Sequence, residues 1–89
     1  MYKAEVNVTL RPAILDVQGK TVEHALHSLG FNSVGHVRIG KHITLEIEAA
    51  SLEEAQKIAR QVSEQVLSNP VMEDVAVTVH EVIAEEAGA

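Results

Sequence analysis

The nine residues Tyr2–Leu10 constrain the fold more than any other stretch of this chain. Tyr2, Ala4, Val6, Val8 and Leu10 alternate without a break with Lys3, Glu5, Asn7 and Thr9. Period two over this length means a strand with one buried and one solvated face. Such strands belong to antiparallel or mixed sheets, because parallel strands are usually apolar on both faces. Arg11-Pro12 ends the run, since proline brings no amide donor to a ladder. The chain therefore needs partner strands and a layer that covers one sheet face.

The remaining pattern supplies both. Val22, Ala25, Leu26 and Leu29 form one apolar stripe at helical spacing, which predicts a helix near Val17–Leu29. Asp16 fits its N-cap, with Thr21 as a later alternative. Gly30 offers a left-handed stop, and Phe31 can fold back on the last turn. Val34–Ala49 reads as a hairpin, with Val37 and Ile39 sharing a face with Ile43, Leu45 and Ile47. Parity requires an odd connection, Gly40-Lys41-His42, or a bulge. Ser51-Leu52-Glu53-Glu54 fits a capping box, in which Ser51 and Glu54 satisfy each other's amides. Ala55, Ile58, Ala59, Val62 and Val66 make the buried stripe of this second helix, and Asn69-Pro70 ends it. Asp74–Val82 is the last strand. The order is β-α-β-β-α-β. It predicts an α+β domain with a four-stranded antiparallel sheet and two helices on one face, ferredoxin-like in arrangement. Residues 1–83 form this single domain, and 84–89 are an acidic, Ala-rich tail expected to be flexible. The second sheet face has no cover from this chain and reads either as solvated or as a partner surface with edge strands available for pairing.

Composition limits the function. With 89 residues, one Tyr, one Phe and no Trp, the core is aliphatic and small, so oligomerisation would help it. The net charge is −6. Residues 1–45 hold five basic and three acidic groups, and residues 46–89 two basic and ten acidic. An acidic chain nearly free of aromatics argues against nucleic-acid binding. No cysteine is present, which removes disulfides, thiolate catalysis and Cys-based metal sites. No signal segment or membrane-length apolar run is seen, so a soluble cytoplasmic protein is expected.

Three apparent motifs fail on their own terms. Gly19-Lys20-Thr21 imitates the end of a P-loop, but position 14 is Ile14 where the motif needs glycine. His24 and His27 could share an ion, yet nothing nearby completes a ligand set, and His36, His42 and His80 fall on strands or turns. Arg11 follows a first strand as in acylphosphatases, without their Gly-rich loop. No nucleophile–base or paired-carboxylate arrangement can be assembled from spacing. No catalytic, cofactor-binding or metal residue is assigned.

Four stretches together carry a resemblance. They are Arg11–Gly19 directly after the alternating strand, Ala25–Phe31, Val37–Leu45, and Asn69–Asp74 leading into the final strand. In this order and spacing the chain resembles the PurS family, the small subunit of phosphoribosylformylglycinamidine (FGAM) synthase. Val17 stands where that family usually has proline, which removes a rigid helix start. The resemblance implies a subunit, itself without catalytic residues, of an ATP-dependent carbon–nitrogen ligase of purine biosynthesis that takes its amide nitrogen from glutamine. Its implied partners are a glutaminase subunit, a large synthase subunit that uses ATP and Mg, and further copies of itself as a dimer or tetramer. Its implied role is to join those subunits and aid a sheltered transfer of ammonia. The exposed members of the matched stretches are the expected contact residues: Arg11, Asp16, Gln18, Gly19 and Lys20 in one cluster, Arg38, Gly40 and Lys41 in another. The rival reading is a ferredoxin-like module that senses a small metabolite between two copies.

Overall fold

A computed structural model describes residues 1–82; Ile83 and the acidic stretch 84–89 lie outside the described residues. The element order is β1 (Tyr2–Leu10), α1 (Val17–Ser28), β2 (Gly40–Ile47), α2 (Leu52–Val62) and β3 (Glu73–Glu81), with a π turn at Ser63–Leu67 after α2. The alternating strand takes the centre of an antiparallel sheet ordered β2-β1-β3. Its register sets Ala4 opposite Leu45 and Val79, and Val6 opposite Ile43 and Val77. The apolar rows of all three strands therefore share one face.

Helix α2 covers that face. Ala55 and Ala59 are fully buried and pack with Tyr2, Ala4 and Ile47, flanked by Leu45, Ile58, Val77 and Val79. Two alanines on the contact side let the helix backbone come close to the sheet, which suits a core with almost no aromatic bulk. Ser51 Oγ accepts from the Glu54 amide at 3.2 Å, as expected of the capping box. Glu54 Oε2 accepts from the Ala50 amide at 3.3 Å, one residue earlier than Ser51. The π turn changes the helix phase. Ser63 moves to a fully buried position, its hydroxyl donating to the Ala59 carbonyl at 2.7 Å. Val66, expected inside, is 75% exposed, because the wider turn rotates it away.

Sequence and structure part at two further places. The sheet has three strands among the described residues, and Val34–Ala49 is not a hairpin. β2 passes straight through Gly40, Lys41 and His42, which pair with Thr9, Val8 and Asn7. Val34–Ile39 precede β2 without strand structure of their own, and His36 among them takes a left-handed φ of 53°. Helix α1 also lacks the expected seat on the sheet. It has no substantial packing against the strands or α2, and its only buried residue is Gly19. Val22 is open, Leu29 is 74% exposed and Phe31 55%. The ends of α1 are nevertheless well made. Asp16 caps the start. At the finish Gly30 has φ 95°, Phe31 N–H donates to Leu26 O at 3.0 Å, and Gly30 N–H donates to His27 O at 3.0 Å. Those two bonds are a complete Schellman stop.

Candidate docking site at one end of the sheet

The two predicted contact clusters come together at the Leu10 end of the sheet, where β1 finishes and β2 and β3 begin. Asp16 joins them. Its carboxylate accepts from the Gly19 amide at 2.8 Å and, through the other oxygen, from the Ile39 amide at 2.7 Å. It is 4% exposed, so it builds the site from within and presents nothing to a partner. The Gly19 and Ile39 amide bonds, helped by the charge of Arg38, hold its carboxyl below the usual carboxylate range against the opposing effect of burial. Gly19 is buried for a related reason. A Cβ there would lie 2.1 Å from the Val37 carbonyl oxygen, so only glycine admits this approach. Gly40 is similar, with a Cβ position 2.7 Å from the Val8 carbonyl.

Two further side chains of α1 bind the same extended segment. Glu23 accepts from the Val37 amide at 3.4 Å, and a ring nitrogen of His27 bonds the Val34 carbonyl at 2.7 Å. The Val37 amide bond is also the main reason that Glu23 titrates below its ordinary value, with Lys20 and His27 adding to it. Residues 34–39 thus run antiparallel to α1, held by Asp16, Glu23 and His27. Sequence reasoning missed Glu23 and treated His27 as a surface imidazole. The signal was present in the spacing, since positions 16, 23 and 27 fall close to one side of a helix.

The basic residues knit the strand ends together. The Arg38 guanidinium donates to the Arg11 carbonyl at 3.1 Å and the Leu10 carbonyl at 3.4 Å. Arg11 donates to the Pro70 carbonyl and lies 3.6 Å from Asp74. The Arg11 amide bonds Met72 O at 2.9 Å, so the Asn69–Asp74 stretch is fastened to the first cluster. Lys41 sits 4.0 Å from Glu73, and Lys20 3.9 Å from Glu23. The basic partners are exposed, so these pairs add little stability, but they order the surface. Val8, Leu10, Asp16, Gln18, Ile39 and Lys41 line a shallow cleft of about 250 Å³ here. Of the eight predicted contact residues, Arg11, Gln18, Lys20, Arg38, Gly40 and Lys41 are exposed, while Asp16 and Gly19 are buried. What the end offers is a fixed shape edged with paired charges. Among the described residues, no group of three or more His, Asp or Glu side chains is placed to hold a metal ion. No helix among them is long and apolar enough to cross a membrane.

Comparison with known proteins settles the family. A family model described as PurS, phosphoribosylformylglycinamidine (FGAM) synthase, matches residues 3–81. The chain belongs to the PurS family. It is 42% identical over 85 residues to the phosphoribosylformylglycinamidine synthase subunit PurS of Bacillus subtilis, covering 96% of this chain and all of that one. The solved PurS of Methanocaldococcus jannaschii superposes with a TM-score of 0.84 at 32% identity, over 93% of this chain and 100% of that chain. A chain in the structure of PurLQS from Thermotoga maritima matches with a TM-score of 0.81 at 34% identity, over 89% of this PurS-family chain and 96% of the other.

Proposed function

We propose that this chain is the small subunit of a glutamine-dependent FGAM synthase, joining a glutaminase subunit to a large synthase subunit that uses ATP and Mg. The supporting observation is a match along nearly the whole chain to PurS proteins, one of them part of a PurLQS structure. The reaction belongs to purine biosynthesis and would place the protein in the cytoplasm. The chain contributes surfaces. Its carboxylate at the site, Asp16, is occupied by two backbone amides, and its guanidinium groups bind carbonyls. Arg11, Gln18, Lys20, Arg38, Gly40 and Lys41 form the contact surface, and Asp16 and Gly19 hold its shape. A closed junction between the larger subunits would keep ammonia from protonation in bulk water, where it loses its nucleophilic lone pair. The protein also acts as a homo-oligomer, a dimer or tetramer, which would bury the apolar stripe that α1 leaves open and bring the architecture to four strands.

Reconstitution tests this. With glutaminase and synthase subunits present, omitting the chain should abolish glutamine-dependent FGAM formation while turnover with added ammonia persists. Unchanged glutamine-dependent turnover without the chain would sink the assignment.

A further inference from the structure

We infer that the outer edge of β3, in the groove beside α2, takes an extended segment of a larger subunit as an added strand, with apolar side chains toward α2 and a carboxylate for Arg60. This rests on the reading of the chain as a docking subunit and names the form of segment that docks. In the order β2-β1-β3 no strand lies beyond β3 among the described residues. The edge lacks the usual protection against pairing. Its register runs unbroken from Leu10↔Glu73 to Tyr2↔Glu81, so no bulge twists it away. Its nine residues include no Lys, Arg or Pro, and charge is confined to the two ends, leaving Val75–Val79 neutral.

The backbone directions fit. The Arg11 amide bonds Met72 O and the Val82 amide bonds Met1 O, so the even-numbered residues from Met72 to Val82 turn their backbone groups toward β1. Val75, Val77 and Val79 therefore direct N–H and C=O outward. Their side chains lie on the covered sheet face and are half-buried, with Val77 and Val79 packed against the α2 core. An incoming strand thus meets an apolar row on one face and Ala76 and Thr78 on the open one. Two clefts follow this edge. One of about 370 Å³ is lined by Gln56 and Arg60 of α2 with Val77–Val79. The other, of about 500 Å³, is lined by Arg60, Ser68 and Val75 and reaches Arg11 and Pro70. The groove therefore runs on into the Leu10 end of the sheet.

Charge decides the occupant. Arg60 lines both clefts, and its one partner among the described residues is Glu64 at 3.8 Å, beyond hydrogen-bond length. Its fork of N–H donors is thus open to a carboxylate on the incoming segment, which would make the stronger, charge-assisted bond. A second copy fits this edge less well. Self-pairing about Val77, the longest symmetric register, sets Glu73 against the other copy's Glu81 twice and turns the two Arg60 side chains toward each other. The apolar stripe that self-association would bury also lies elsewhere, on α1, whose ties run to the segment ahead of β2. Main-chain bonds supply the affinity in strand addition, and the alternating side chains supply the choice of partner.

Amide hydrogen exchange, quenched and read by NMR on the dissociated chain, tests this residue by residue. In the chain alone Val75, Val77 and Val79 should exchange fast, while Ala76, Thr78 and His80, bonded to β1, exchange slowly. Adding the glutaminase or the synthase subunit should slow Val77 and Val79 by about tenfold or more. Arg60→Ala should keep its circular dichroism and weaken binding of that same subunit roughly tenfold, the effect of losing one charge-assisted hydrogen bond. Slow exchange of the three valines in the chain alone overturns the inference, in favour of a second copy where dilution restores fast exchange and of residues 83–89 where it does not. Exchange unchanged by both subunits overturns it as well, and so does Arg60→Ala binding at full strength. A reconstituted complex that still uses glutamine while these amides exchange freely would remove the added strand alone and leave the synthase assignment standing.

Discussion

Asp16 is half legible in the sequence. An aspartate ahead of an apolar stripe marks a helix start, and the structure gives it that role with Gly19. Its second bond, to Ile39, lies 23 residues on and has no local signature. Glu23 shared a helix side with Asp16 and His27, but its partner Val37, 14 residues on, left no local sign, and Gly19 drew notice as an expected contact residue and not as a close approach to Val37. The Asp16 bonds predict a pH dependence. Asp16 and Glu23 titrate below their usual values in the folded chain, so below about pH 4 the unfolded chain takes up protons first. Stability is fully present above that pH and is lost as pH falls through the folded-state values. Thermal melts from about pH 5 down to about pH 2 should show this decline, and Asp16→Asn should flatten part of it. Gly19→Ala drives a methyl into the Val37 carbonyl and should cost on the order of 1–3 kcal/mol in urea denaturation, since backbone on both sides must move.

At the scale of elements, periodicity located both helices and β1 with ends close to those observed, because amphipathic patterns are set by the face each element buries. It could not show which surface does the burying. The α1 stripe was read correctly as apolar, yet this chain's own packed core does not cover it. The π turn after α2 was equally invisible, as an extra residue in a turn leaves the apolar pattern looking intact through Val66. The α2 contact itself has little room. Ala59 is fully buried against the Tyr2–Ala4–Ile47 cluster, so Ala59→Leu should destabilise by about 1–3 kcal/mol through overpacking, measured by chemical denaturation. The exposed α1 position Leu29→Ala should change the stability of the isolated chain by no more than about 0.5 kcal/mol.

For the molecule as a whole, the sequence called for four strands in one chain, and the straight passage through Gly40–His42 is where that expectation gave way. Parity allowed a three-residue turn there, but β1 offered Asn7, Val8 and Thr9 as ladder partners to those same three residues, and the ladder prevailed. The result is long for its mass. The radius of gyration is 16.8 Å, against about 12 Å for a compact domain of this size. Arg11, Lys20, Arg38 and Lys41 share the Leu10 end with Asp16, Glu23, Glu73 and Asp74, so that end is close to neutral in a chain whose net charge is −6. Lys20→Glu/Lys41→Glu should slow association with the larger subunits several-fold at low salt, with the difference shrinking as salt rises, in stopped-flow binding. The ties that shape this end share one property: Arg11, Asp16, Glu23, His27 and Arg38 each grip the main chain of another segment. A main-chain group is the same whatever residue bears it. Lineages can therefore exchange the side chains at Val34, Val37, Pro70 or Leu10 to suit diverging companions, while the five gripping residues preserve the junction's form.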